Sequence, residues 1–268
     1  MKLSVFYDHI LQAKEQSGKS LEELLRGVRA AGIDAVEICL TYLLEHKETL
    51  KLLQDADLGI SCIYEFFAME SQDETQKLVQ LIETAEEVKA GRVLVVPGFV
   101  SEEEKKEMQA CMKDYEKVAA YIDSNTKVLR MAEGLSFVAK LGMEKGVIVT
   151  VEDFDDNKSP LSGMNGIRWF LNRIPELQYT LDMGNFITNG EDVMEAWKLL
   201  KDRVVHVHCK DRGEVSVAVG DGYLPIAELV QCLRVTGYDN YFAIEHFDAE
   251  EQELCMRKSA VFLRKIGV

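Results

Sequence analysis

Short apolar segments alternate with longer amphipathic segments along the whole chain. The short segments are rich in valine, isoleucine and leucine, whereas the longer ones repeat apolar residues every three or four positions. This alternation predicts parallel strands connected by helices. The eight predicted strands are Leu3–Asp8, Asp34–Leu40, Gly59–Phe66, Arg92–Val96, Val147–Glu152, Gln178–Asp182, Val204–His208 and Tyr241–Glu245.

The predicted helices fill the intervals between these strands. One of them begins at Ser20, because Ser20-Leu-Glu-Glu23 has the spacing of a capping box ahead of an apolar run. Helical periodicity continues through both Ser101–Ser124 and Thr126–Lys145, so we expect an extra helix after the fourth strand. The other predicted helices are Thr49–Asp57, Glu74–Lys89, Ser162–Arg173, Glu191–Leu200, Ile226–Val235 and Glu250–Lys265.

Eight strands and eight helices, joined by right-handed crossovers, predict an α/β fold of the (β/α)8 TIM barrel class. The chain has 268 residues, of which 47% are apolar, and one such barrel needs about 250 residues. No linker or low-complexity tract interrupts it. We therefore expect a single domain spanning residues 1–268.

The formal net charge of −15 argues against nucleic acid as a partner. Nucleic-acid binding relies on lysine and arginine placed against phosphates, and the sequence has no basic stripe. The acidic balance also disfavours an anionic membrane surface. Without an apolar run of membrane-spanning length or a signal-peptide pattern, we expect a cytoplasmic protein. Six scattered cysteines with no Cys-x-x-Cys pair argue against a zinc–thiolate site.

Each of the last four predicted strands ends on a residue that can bind a metal ion. In a parallel barrel the carboxyl ends of the strands meet on one face, where such enzymes carry out their chemistry. With the two-residue period of a strand, the alternate positions are aliphatic, so the polar side chains share the face toward the barrel interior. The predicted ligands of one metal ion are Glu152, Asp182, His208 and Glu245.

Three carboxylates and one imidazole favour Mn²⁺, Mg²⁺ or Co²⁺, with Zn²⁺ as a less favoured alternative. An octahedral ion with four protein ligands keeps two positions for the carbonyl and hydroxyl oxygens of a sugar. The ion would acidify the carbon between them and stabilise the resulting enediolate. Our hypothesis is that Glu152 and Glu245 act as the general base and acid. This chemistry predicts a sugar isomerase or epimerase.

Several further residues are candidates for supporting roles. Three residues near the ends of the first three strands could each bind a substrate hydroxyl group or form a buried ion pair. Lys210 could contact a substrate oxygen or neutralise a carboxylate, and Arg212 could bind an anionic substrate group or face solvent. His206 and Asp211 are predicted to lie next to the candidate ligands without binding the metal ion themselves. Gly220-Asp-Gly222 is predicted to form a turn. The three candidates near the first strands are Tyr7, Glu37 and Glu65.

Five segments together resemble the xylose isomerase-like TIM barrel superfamily, which includes ketose 3-epimerases, hydroxypyruvate isomerase, inosose dehydratase and endonuclease IV (AP endonuclease family 2). The resemblance implies the same four metal ligands and the same two glutamates as the acid–base pair. The segments are VEDF (151–154), LDMGN (181–185), HVHCKD (206–211), GDG (220–222) and AIEHF (243–247).

The chain departs from this family at Asn185, where many members have a histidine. An amide can hydrogen-bond a sugar hydroxyl but is a poorer metal ligand than imidazole, so the departure argues against a second metal ion there. With only five histidines, the chain is also a poor fit to the endonuclease branch.

Three other functions remain open from the sequence. The same site could eliminate water or cleave a bond in a keto-sugar or inosose, because a lyase or dehydratase begins with the same proton loss. It could hydrolyse a bond with metal-generated hydroxide. A sugar-binding barrel without catalysis is the third alternative. Related barrels often form dimers or tetramers, so a homo-oligomer is also expected.

Overall fold

A computed structural model describes residues 1–267 of the chain. Eight parallel strands form a closed barrel in the order of the sequence, with helices between them. The predicted (β/α)8 TIM barrel is confirmed. The strands are β1 (Lys2–Phe6), β2 (Ala35–Cys39), β3 (Gly59–Phe66), β4 (Arg92–Val96), β5 (Ile148–Glu152), β6 (Gln178–Asp182), β7 (Val204–Lys210) and β8 (Tyr241–Glu245).

The described residues contain twelve α-helices, compared with the eight barrel helices and one extra helix that the sequence predicted. They are α1 (Tyr7–Ser17), α2 (Leu21–Ala30), α3 (Leu40–Glu45), α4 (Glu48–Asp55), α5 (Thr75–Val88), α6 (Glu102–Cys111), α7 (Tyr115–Ser124), α8 (Thr126–Lys145), α9 (Met164–Arg173), α10 (Val193–Leu200), α11 (Ile226–Val235) and α12 (Gln252–Ile266). Within residues 1–267, no helix is both long and apolar enough to cross a lipid bilayer.

The first predicted strand is too long by two residues, because α1 begins at Tyr7, directly after β1. Gly18 ends α1 in the left-handed conformation, with φ of 71° and its N–H donated to the carbonyl of Lys14. The predicted start of the next helix is confirmed. The hydroxyl of Ser20 accepts the N–H of Glu23 at 3.2 Å, as an N-cap should.

The interval after β4 contains two extra helices rather than the one predicted. The side chain of Asp114 accepts the N–H of Lys117 and caps α7, which separates α7 from α6. Asn125 in turn caps α8 by accepting two N–H groups. Each polar cap satisfies donors at a helix start, so a short helix can end and a new one begin within a few residues.

The chain divides into two compact units, and each contains strands that end at candidate site residues. In the unit formed by residues 1–63 and 206–267, β8 pairs with β1 and β7, and β1 pairs with β2. In the unit formed by residues 64–205, β5 pairs with β4 and β6. The aliphatic residues that alternate with the candidate ligands are fully buried: Val151, Leu181, Val207 and Ile244.

Candidate metal centre

The four predicted ligands are grouped in the structure. Each offers one oxygen or nitrogen atom, and these atoms all lie within 4.8 Å of one another. All four side chains are buried. The residues of this group are Glu152 at the end of β5, Asp182 at the end of β6, His208 in β7 and Glu245 at the end of β8.

This donor set fits a divalent cation. Ligands on opposite sides of an octahedral ion, each about 2.2 Å from it, are about 4.4 Å apart. The upper limit of 4.8 Å on the distances between the candidate donor atoms is close to this spacing. Three carboxylates and one imidazole supply the hard oxygen and borderline nitrogen atoms that Mn²⁺, Mg²⁺ and Co²⁺ accept.

Glu245 lies between a histidine and a lysine. Its Oε2 is 3.3 Å from Nδ1 of His208, and its Oε1 is 2.8 Å from Nζ of Lys210. The register of β7 and β8 pairs Lys210 directly with Glu245. Burial raises the pKa of Glu245, but the Lys210 charge and the His208 hydrogen bond outweigh it and hold the pKa well below its usual value. Of the two roles predicted for Lys210, the structure shows the contact with a carboxylate.

Glu37 is engaged by two histidines of β7. Its Oε2 lies 2.9 Å from Nε2 of His206, and its Oε1 lies 3.1 Å from Nε2 of His208. All three side chains are fully buried. Burial raises the pKa of Glu37, but the charges and hydrogen bonds of both histidines hold it well below its usual value. Of the two roles left open for Glu37, the structure shows contacts with buried protein groups.

Tyr7 and Glu65 also have protein neighbours. Tyr7 lies in the first turn of α1, is 1% exposed, and packs its ring 5.4 Å from that of Tyr42. Burial raises the pKa of its hydroxyl. Glu65 is 4% exposed, pairs with Nζ of Lys77 at 3.1 Å and accepts the N–H of Phe66 at 2.9 Å. For Glu65, the structure shows the ion pair that the sequence left as the alternative.

Asp153 and Tyr179 form hydrogen bonds next to the carboxyl ends of β5 and β6. Neither residue was among the predicted site residues. Oδ1 of Asp153 accepts the hydroxyl of Tyr179 at 2.5 Å and the backbone N–H of Asp182 at 2.9 Å. Burial raises the pKa of Asp153 well above its usual value. The only signal in the sequence was an acidic residue directly after the end of β5.

The Asn185 side-chain amide has a hydrogen-bond partner for its nitrogen but none for its oxygen among residues 1–267. Its Nδ2 donates to the backbone oxygen of Asp153 at 2.8 Å. The side chain is 3% exposed, and its Oδ1 has no hydrogen-bond partner among residues 1–267. Leaving a buried acceptor of this kind unsatisfied costs free energy.

Asp211 shapes the loop that follows β7. It is 2% exposed, and its two oxygens accept four backbone N–H groups, from Arg212, Gly220, Gly222 and Leu224. Gly220 has φ of 95°, as the predicted turn requires. A Cβ on Gly222 would collide with Oδ1 of Asp211. Arg212 is half-buried and forms a β-bridge with Ser216.

Comparison with protein families agrees with the barrel fold. A family model described as "Xylose isomerase-like TIM barrel" matches residues 25–266. The chain belongs to the xylose isomerase-like TIM barrel family. The resemblance seen in the five sequence segments is thereby confirmed. A search of curated proteins gives no match.

Solved structures show the same fold at low sequence identity. A D-psicose 3-epimerase from Clostridium cellulolyticum H10 has a TM-score of 0.75 and 14% identity, covering 100% of this chain and 99% of its own. The 3-keto-D-glucoside 4-epimerase YcjR from E. coli has a TM-score of 0.73 and 16% identity, covering 99% of both chains. The probable 3-DHS dehydratase AsbF from Bacillus anthracis has a TM-score of 0.74 and 16% identity, covering 98% and 99%.

Proposed function

We propose that the protein is a divalent-metal-dependent isomerase or epimerase of a sugar or sugar derivative. The observation that carries this proposal is the buried group of three carboxylates and one imidazole at the strand ends. Membership of the xylose isomerase-like family supports it. Two similar structures are, by their descriptions, epimerases of D-psicose and of a 3-keto-D-glucoside.

The proposed proton transfer uses the two glutamates. A bound divalent ion supplies Lewis acidity, which makes the carbon next to a carbonyl group easier to deprotonate. One carboxylate of the pair Glu152 and Glu245 accepts the proton, and the other returns one. Lys210 keeps Glu245 ionised through its 2.8 Å contact. Oδ1 of Asn185 accepts a substrate hydroxyl.

The test follows exchange of the substrate proton with solvent. The manganese-loaded protein is incubated in D₂O with a panel of ketoses and keto-sugar derivatives, and loss of the proton next to the carbonyl is measured by NMR. We expect E152Q and E245Q each to slow this exchange about 10²- to 10⁴-fold, because each removes one acid–base group.

A matched control is E195Q, which removes an exposed carboxylate on α10 and should leave the exchange rate unchanged. Wild-type exchange rates in both E152Q and E245Q would contradict the proposal.

A lyase or dehydratase is the second candidate, favoured by the similarity to a probable 3-DHS dehydratase. Elimination begins with the same proton loss, so the exchange experiment alone does not separate the two. Product analysis does. A new double bond or a released leaving group identifies elimination, whereas a product with the composition of the substrate identifies isomerisation or epimerisation. Incorporation of labelled oxygen from water would instead identify a hydrolase.

Three narrower statements stay predictions. These are manganese, magnesium or cobalt as the physiological ion, a cytoplasmic location, and assembly into a homo-oligomer. Metal analysis of the purified protein, fractionation of the producing cells and light scattering test them in turn.

A further inference from the structure

Glu37 joins the two histidines of β7 through one carboxylate. Each oxygen faces one Nε2 atom, at 2.9 Å for His206 and 3.1 Å for His208. The rings of His206 and His208 are nearly perpendicular, with centroids 5.5 Å apart. The ring of Phe6 lies edge-on to His208 at 5.0 Å and confines it further.

The contacts with Glu37 determine which nitrogen of each histidine carries a proton. An ionised carboxylate only accepts hydrogen bonds, so each facing Nε2 must carry a proton. Nε2 is therefore engaged with Glu37, and the ring nitrogen left to bind a cation, once it gives up its own proton, is Nδ1. Nδ1 is also the atom that lies 3.3 Å from Oε2 of Glu245. The ring nitrogen able to bind a cation is therefore the one beside another candidate ligand.

We propose that Glu37 is a positioning residue that fixes His208 in the Nε2–H tautomer and presents its Nδ1 to the metal ion. This inference rests on the proposed metal site and adds a role for a residue outside the ligand set. Carboxylates behind metal-binding histidines commonly orient the ring and increase its basicity.

His206 orients the carboxylate of Glu37. By occupying Oε2 of Glu37, it holds the carboxylate in the orientation that aims Oε1 at His208. Glu37 therefore does not serve as a substrate ligand, and its replacement should act first on the metal ion. This distinguishes it from Asn185, whose replacement should act on substrate binding.

The first measurement is the tautomer of His208 in the metal-free wild-type protein. Long-range ¹H–¹⁵N NMR separates the two tautomers, and an H208Q sample assigns the resonance. We expect Nε2 of His208 to carry a proton. A ring protonated at Nδ1 alone would overturn the proposal, and this measurement does not depend on whether any Glu37 variant folds.

The second measurement is Mn²⁺ affinity by calorimetry. E37M removes both acceptors and should weaken Mn²⁺ binding about 10- to 100-fold, with His208 present as a mixture of tautomers. E37Q retains one acceptor, so its affinity should lie between those of the wild type and E37M. The control E74M removes a half-buried carboxylate that accepts the N–H of Ala68 and should bind Mn²⁺ like the wild type.

Two failures can be told apart. If the wild type binds no Mn²⁺, the proposed function and this inference both fail. If the wild type binds Mn²⁺ while E37M has the same affinity and the same His208 tautomer, only the role of Glu37 is wrong.

Discussion

One carboxylate, that of Asp211, organises the loop that carries the chain from β7 toward α11. Its two oxygens accept backbone N–H groups from both ends of a segment of fourteen residues, 211–224. Gly222 must lack a side chain because its Cα lies against this carboxylate. The residue directly after Lys210 thus fixes the loop next to the candidate centre.

Replacing Asp211 by asparagine should destabilise the protein. An amide has only one acceptor oxygen, so at least one part-buried pair of N–H groups would face a donor instead, which costs about 1–3 kcal/mol. Urea unfolding measures the loss, and hydrogen exchange should report faster exchange at Gly220 and Gly222. The control D221N breaks only an exposed pair with Lys258 and should cost less than about 1 kcal/mol. Equal stability of D211N and D221N would contradict this account.

At the scale of elements, the sequence predicted strands better than helices. The bounds of β3, β4, β6, β8 and α11 were predicted to the residue, because short apolar runs between turn residues are sharply delimited. The helix α1 was missed because it follows β1 with no capping side chain and buries few aliphatic residues. The split between α6 and α7 was missed because it depends on the cap at Asp114 rather than on a change in periodicity.

Glu104 joins two of these elements and gives them a pH-dependent stability. It accepts the N–H of Ser101 at the start of α6 and pairs with Lys127 of α8 at 2.8 Å. Burial raises its pKa, but these partners together lower it from 4.5 to about 2. Because the folded-state pKa is the lower one, the stabilisation is present above pH 4.5 and is lost as the pH falls toward 2.

We therefore expect E104Q to lower the free energy of unfolding at pH 7 by about 1–2 kcal/mol, after allowance for solvent screening. The difference from the wild type should shrink between pH 4.5 and 2. Urea unfolding at a series of pH values measures it. E103Q, an exposed change in the same helical turn, controls for the loss of one negative charge. A difference that does not vary with pH would show that Glu104 acts only through packing.

At the scale of the whole molecule, the barrel topology made the grouping of the candidate ligands predictable. Strand order and alternation suffice to group Glu152, Asp182, His208 and Glu245. The hydrogen bonds that support these residues were not predictable in the same way. The contacts of Glu37 with two histidines depend on side-chain conformations that no sequence spacing encodes.

The most direct test of the central claim is anomalous diffraction from crystals grown with saturating Mn²⁺. We predict one strong peak about 2.0–2.4 Å from atoms of Glu152, Asp182, Glu245 and Nδ1 of His208. Absence of a peak there, or a peak held instead by Glu37 and His206, would contradict it.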